Sequence, residues 1–455
     1  MKKKNVLKVL SGAFSVALLL TGCATVGNVK DKSGKDIYFD SISYNQGQVV
    51  QVGDYLYYGN GYSNASDSSF NYSTASKTGY LARLNTSGEL EYSSSVKNEN
   101  KQNTSPKGIE KVNDKLVGYE KQNMFALGSY LYFTSANTHK TSSLENDYTQ
   151  VSLFRVKFNG DKFEEIDTFK TDDGSFITAN KGSDNNYYYI ISEPSSDSKY
   201  NLYSIKIGDG KIGDKKTLAK DVLTAVASDE NSNEKNVVYT KTSENTEITT
   251  TEISSVDFAT AEVTTLDNGT IASETKLLGR SGDVVFYSYK SKGITEVYYK
   301  NISTDDGIFN PTPSYKFYNA ESIKDIQSAG DGYIFVSNTS SSLMYKTLDS
   351  TVDAKLLLSK DEFSDIMFVD GEYVYYSNST SISRISVIDL SKETIVTMTD
   401  IVSGQCGYTG EYIYYYAKLE KNDSEDEDSD SSDDTNYYMY RTDKQGNYSL
   451  VGKTK

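Results

Sequence analysis

The chain of 455 residues contains no Trp, one His, two Cys and four Pro. Each shortage excludes something. Most general-base, nucleophile-activating and zinc schemes recruit one or several histidines, so one leaves little to build with. Two cysteines cannot make a disulfide framework, and stability has to come from packing. Basic charge is short as well, 47 Lys+Arg standing against 63 Asp+Glu for a formal charge of −16. A nucleic-acid binder needs a basic face for phosphate contacts, and this balance runs the other way. What is abundant is aromatic and polar: 39 Tyr and 17 Phe among many Ser, Thr and Asn. Such a chain can bury a core and favours strands.

No apolar run reaches the roughly 20 residues that cross a bilayer. Val9 to Leu20 is an apolar stretch broken only by Ser11, Gly12 and Ser15, and it follows Lys2, Lys3, Lys4 and Lys8. That is the layout of an export signal, expected over residues 1–22. The stretch ends in Leu20-Thr21-Gly22-Cys23, which resembles the lipobox of bacterial lipoproteins. The resemblance implies that the Cys23 thiol receives a diacylglycerol and that cleavage occurs just before it, small Thr21 and Gly22 letting the backbone fit a protease. An ordinary secretory signal with an incidental cysteine is the competing reading. Two or more acyl chains on Cys23 would anchor the protein stably on the extracytoplasmic face of the cell membrane. Loss of residues 1–22 removes four lysines and no acid, taking the charge from −16 to −20. Residues 23–35 are expected to be a lipidated polar tether. Only Cys406 then remains, so no intramolecular disulfide can form.

The rest of the chain, 36–455, repeats one unit: a turn with Gly, Asp or Asn, then a strand dense in Tyr. Clear copies start at Gly53, Gly128, Gly371 and Gly410, as in Gly410-Glu411-Tyr412-Ile413-Tyr414-Tyr415, and weaker ones at Asn185, Asn236, Gly282 and Gly332. Each copy is followed by a second short strand, such as Leu81-Ala82-Arg83-Leu84 or Ile382-Ser383-Arg384-Ile385. Successive copies begin 39 to 75 residues apart, and the commoner spacings match the roughly 40–50 residues of a propeller blade. Polar insertions account for the excess.

The Gly-x-Tyr-Ile-Tyr-Tyr strand followed by Leu-Tyr-Arg-Ile resembles the tyrosine-rich propeller repeats of uncharacterised bacterial cell-surface proteins, distantly similar to the YWTD propellers of lipoprotein receptors. The resemblance covers about residues 50–455 and implies a fold rather than an activity. The expected architecture is therefore all-β: a single β-propeller of about eight four-stranded blades, or seven if two weak copies share one, two smaller propellers being the third choice. The last copy stops one strand short after Tyr448 to Val451, and Ile37 to Tyr44 supplies a spare strand. The N-terminal strand is therefore expected to complete the last blade and close the ring.

Few residues suggest chemistry. His139 lies in a polar insertion and is expected to be an exposed loop residue. Cys406, with no histidine near it in sequence, is expected to be a buried small hydrophobe. Of the five arginines, Arg83, Arg155, Arg384 and Arg441 occupy the second-strand repeat, while Arg280 does not. One per blade could converge on a substrate carboxylate at the axis, as in sialidase-like propellers, but an architectural role is the expectation. The insertion 420–435 carries eight acids between Asp423 and Asp434. It lacks the glycine turn and spaced terminal Glu of an EF-hand loop, so a solvated charge run is expected, with weak cation binding as the alternative. The expected protein is thus a lipid-anchored, monomeric binding or scaffold module for a protein or glycan. No catalytic residue, metal or cofactor is assigned to it. The alternative is a carbohydrate-active or other hydrolytic enzyme using paired carboxylates at the propeller axis, which needs no histidine.

Overall fold

Alternating Tyr with Leu, Val or Ile gives each segment two apolar faces, and such strands form sheets that need a neighbour on both sides. The computed structural model describes residues 27–61, 79–88, 90–91, 106–117, 124–136, 150–172, 175–196, 198–227, 234–242, 251–267, 275–291, 294–302, 316–319, 322–398, 400–418 and 437–452. Residues 1–22, expected to be an export signal, Cys23, His139 and the acidic insertion 420–435 fall outside them. The described chain is all-β, its one helical element a 3-10 turn at Lys360–Glu362.

The strands are β1 (Phe39–Tyr44), β2 (Val49–Val52), β3 (Tyr55–Gly59), β4 (Tyr80–Asn85), β5 (Glu110–Leu116), β6 (Met124–Gly128), β7 (Tyr130–Ala136), β8 (Gln150–Lys157) and β9 (Glu164–Lys170). There follow β10 (Phe176–Lys181), β11 (Tyr187–Ser196), β12 (Lys199–Ile207), β13 (Lys216–Val226), β14 (Asn236–Thr242), β15 (Thr251–Asp257) and β16 (Val263–Asp267). Next come β17 (Thr275–Ser281), β18 (Val284–Ser291), β19 (Ile294–Asn301), β20 (Lys316–Tyr318), β21 (Ile323–Ala329), β22 (Gly332–Ser337), β23 (Ser342–Lys346) and β24 (Lys355–Leu358). The last are β25 (Asp365–Asp370), β26 (Tyr373–Asn378), β27 (Ser381–Ser386), β28 (Lys392–Thr397), β29 (Ile401–Tyr408), β30 (Tyr412–Lys418), β31 (Tyr437–Asp443) and β32 (Tyr448–Gly452). In chain order the first sheet is β2–β5, the second β1 with β6–β9, and the third the seven strands β10–β16. The fourth to seventh are β17–β20, β21–β24, β25–β28 and β29–β32.

All eight Tyr-rich strands take the second place in an antiparallel meander, and the segments expected to follow them take the third. The first strands went unread because they are short or irregular. Register shifts interrupt β17, β21, β25 and β29 where they pair with the second strand; an extra residue there bends and twists the strand.

Two expectations are corrected. The N-terminal strand does not complete the last sheet: β1 pairs with β6 as a fifth strand of the second sheet, and the last sheet has four strands of its own. The missing strand is β29, overlooked because Gly404 and Gly407 interrupt its apolar pattern. The stretch expected to be tether through Lys35 is also folded from Asn28 on. Val29 is buried in the first hydrophobic cluster with Ile37 packed against it, and the backbones of Lys30 and Asp36 form an antiparallel bridge.

Strand β13 pairs with β12 from Lys216 to Val222 and with β14 from Val222 to Val226, so one strand serves two meanders. First strands neighbour first strands: β13 meets β17, which meets β21, then β25, β29 and β2, and β2 meets β6. The hydrophobic clusters span these boundaries, which explains paired tyrosines. Tyr57 packs into the cluster between the first and second sheets, whereas Tyr58 faces the other way, among seventh-sheet residues. Tyr415 and its neighbours Tyr414 and Tyr416 divide in the same manner between the sixth and first sheets. Consecutive strand residues point to opposite faces, so Tyr-Tyr is what a strand sandwiched on both sides requires. Between the seventh and first sheets, the Tyr58 hydroxyl donates to the Val451 carbonyl at 2.6 Å and the Tyr416 hydroxyl to that of Gly59 at 3.3 Å.

Candidate functional site

The first strands of three consecutive sheets bring together polar residues that the repeat does not account for. Asp325 sits at the register shift of β21 with φ +54°, a left-handed backbone that non-glycine residues adopt rarely. Asp365 opens β25, directly opposite Ser377 on β26. Burial raises the Asp365 carboxyl above its ordinary value, the charge on Asp325 raises it further, and Lys324 opposes them. Asp325 itself is half exposed, with the Lys324 ammonium 3.7 Å away. Ser377 is fully buried, and its hydroxyl finds no hydrogen-bond partner among the described residues. A half-exposed carboxylate beside a less accessible one with raised proton affinity is the arrangement by which one acid can hold a proton and the other a charge.

Cys406, on the next first strand β29, is buried as expected, and its thiol donates to the Met367 carbonyl at 3.4 Å. Burial and then the nearby Asp365 charge push that thiol up to about 12. It stays protonated near neutrality and is no nucleophile.

The arginines do not converge. Each repeat arginine lies over the ring of the tyrosine that opens the second strand: Arg83 over Tyr55 at 4.4 Å, Arg155 over Tyr130 at 4.6 Å, Arg384 over Tyr373 at 4.7 Å and Arg441 over Tyr412 at 4.3 Å. Three also pair with a fourth-strand glutamate: Arg83 Nε with Glu110 at 2.6 Å, and Arg155 Nε with Glu164 and Arg384 Nε with Glu393 at 2.8 Å each. Arg441 instead reaches Ser449 at 3.4 Å. Two arginines extend to the next sheet. Arg83 Nη1 donates to the Phe158 carbonyl at 3.2 Å, and Arg155 Nη1 to those of Gly208 and Gly210 at 2.5 and 2.9 Å. Arg280, on β17, reaches the start of β14 in the preceding sheet by donating to the Asn236 carbonyl at 2.7 Å. All five are therefore engaged in architecture.

A concavity of about 530 Å³ lies between the N-terminal stretch and the second sheet, lined by Val29, Asp36, Ile37, Lys157, Phe158 and Lys162 among others. Among the described residues no group of three or more His, Cys, Asp or Glu is placed to hold a metal ion. Sequence reasoning missed Asp325 and Asp365, because first strands carry neither the tyrosine nor the turn signature.

No known protein family and no curated protein matches the sequence. Among solved structures the chain is similar to a prolyl endopeptidase (11% identity, TM-score 0.41, 71% of this chain and 48% of that one). It is likewise similar to a puromycin hydrolase (11%, 0.43, 72% and 53%). A third is an oligogalacturonate lyase from Vibrio parahaemolyticus (11%, 0.41, 70% and 86%). The chain thus spans about half the length of the first two. At these values the likeness carries no weight on activity, and the architecture rests on the strand pairing.

Proposed function

We propose that the chain is a lipid-anchored, extracytoplasmic binding or scaffold module, an eight-bladed β-propeller that engages a protein or glycan partner. The observation that carries this reading is the order of packing, first strand against first strand from β2 through β6 and from β13 through β29 back to β2. Counting β13 in both of its meanders divides the third sheet into two blades and gives eight units in all. The lipobox-like Leu20-Thr21-Gly22-Cys23 supports the membrane address, and the engaged arginines support a rigid frame. The test uses the full chain solubilised in detergent, applied to a glycan array and to cross-linking against cell-surface proteins. Saturable capture with the ligand intact supports the reading, and cleavage products overturn it.

A second reading, hydrolysis by paired carboxylates, is favoured by one observation: the charge of Asp325 raises the carboxyl of Asp365 on the neighbouring first strand. Under it, Asp365→Asn abolishes any turnover seen in that screen while leaving binding intact. Turnover that persists in Asp365→Asn sinks this second reading.

A further inference from the structure

Turns joining first to second strands and third to fourth strands lie at one end, because they bond to each other. Thr86 N donates to the Asp54 carbonyl at 2.8 Å, Ile302 N to Asp283 at 2.9 Å and Val387 N to Glu372 at 2.9 Å, while Gly330 N donates to the Gly371 carbonyl of the next sheet at 2.9 Å. The N-terminal stretch is fixed to this turn end. Asn159, in a third-to-fourth turn, donates to the Asn28 side chain at 2.7 Å, and Val29 and Ile37 lie against Gly53.

Among the described residues eight large apolar side chains are exposed, and six of them, Tyr38, Phe163, Val263, Val352, Ile388 and Leu390, belong to this end. Ile294 stands at the opposite end, on the turn that opens β19, and Leu356 on an outer strand. These six leave the turn end with exposed apolar side chains contributed by several sheets.

From these observations we infer that the turn end is the membrane-facing side, its apolar rim resting in the headgroup region of the bilayer that holds the Cys23 lipid. The inference rests on the proposed anchor. Four residues separate Cys23 from Asn28, five steps along the chain with a reach of at most about 18 Å. A strand of six residues is itself about 20 Å long, so the tether cannot pass around the rim to present the other end to the lipid. The contact is apolar rather than electrostatic: exposed Asp54, Asp283 and Glu411 lie on the first-to-second turns of the same end and would be repelled by anionic headgroups. Shallow burial of apolar side chains in the interface is the mode by which proteins lie on a membrane. The opposite end, where second strands finish and third strands begin, is left for the partner.

The experiment places one environment-sensitive dye on the full lipidated chain at Ile388→Cys, Val352→Cys or Ile294→Cys, Cys406 being buried. Each protein is reconstituted into phosphatidylcholine vesicles carrying a nitroxide lipid. The expected result is co-flotation with the vesicles, loss of fluorescence at positions 388 and 352, and none at 294. Flotation with equal quenching at all three, or quenching at 294 alone, overturns the orientation and leaves the anchor standing. Failure to float overturns the anchor and the orientation with it.

Discussion

Replacing Arg83 by Met tests whether the repeated arginine acts as a staple between sheets. Arg83 is 2% exposed, and its guanidinium makes four kinds of contact: the Glu110 carboxylate, the Tyr55 ring, the Tyr57 hydroxyl at 3.3 Å and the Phe158 carbonyl. Glu110 is 41% exposed, so water recovers most of its charge and the ion pair counts for under about 1 kcal/mol. The Phe158 bond joins two sheets in a buried place, and a hydrogen bond from a charged donor is worth about 1.5–3 kcal/mol. The desolvated stack on Tyr55 adds about 1–2 kcal/mol, while Met keeps the aliphatic packing and Tyr57 retains its own bond to Phe158 at 2.5 Å. The loss should come to about 3 kcal/mol. Arg384→Met is the control. Its side chain is 22% exposed with the same ring and carboxylate partners, so its removal should cost about 1 kcal/mol. Urea unfolding followed by tyrosine fluorescence reads both. An Arg384→Met loss equal to or larger than that of Arg83→Met would refute the claim that the inter-sheet bond, rather than the stacked ring, carries the energy.

Other substitutions test separate links. Asp365 has a raised folded value, so its ionisation weakens the native state as pH rises above the ordinary 3.8; Asp365→Asn should therefore stabilise the protein at pH 7 and lose that advantage below about pH 4, where the wild-type acid is neutral too. Thermal melts at both values check this, and an Asn variant no more stable than wild type at pH 7 speaks against the paired charges. Glu362 runs the opposite way. Its bond to Lys392 and those from Ser359 lower the carboxyl to about 2, so its contribution is present above the ordinary 4.5 and is lost as pH falls toward 2. Glu362→Gln should be less stable at pH 6 by under about 1 kcal/mol, both partners being well exposed, with the two melting curves converging in acid. At Gly407 on β29 an added methyl would run into Val49 and come within 3.2 Å of the Asn45 carbonyl. Gly407→Ala should thus pry the seventh sheet from the first at a cost of about 1–3 kcal/mol, whereas Gly210→Ala, with open space around it, should be near neutral by the same unfolding assay.

The repeat was legible because second and third strands are pressed between sheets and must be apolar on both faces, a pattern that Tyr57-Tyr58 and Tyr414-Tyr415-Tyr416 carry in plain sequence. The arginine positions were legible too, since each must meet a tyrosine two residues before its cross-strand partner, as Arg83 meets Tyr55 while paired with Tyr57. First strands obey a different rule. Crowded against their neighbours, four of them bend through register shifts, at Leu278, Met367, the residues after Lys324 and those between Ile401 and Cys406, and an inserted residue destroys the two-residue period by which a strand is recognised. That is why β29 went unseen and the spare N-terminal strand was assigned to its place. Asp325 and Asp365 went unread for the same cause: one lies at such a shift and the other opens a strand that contains one. Repetition announces the frame of this protein, and the polar residues it does not account for stand where its period breaks.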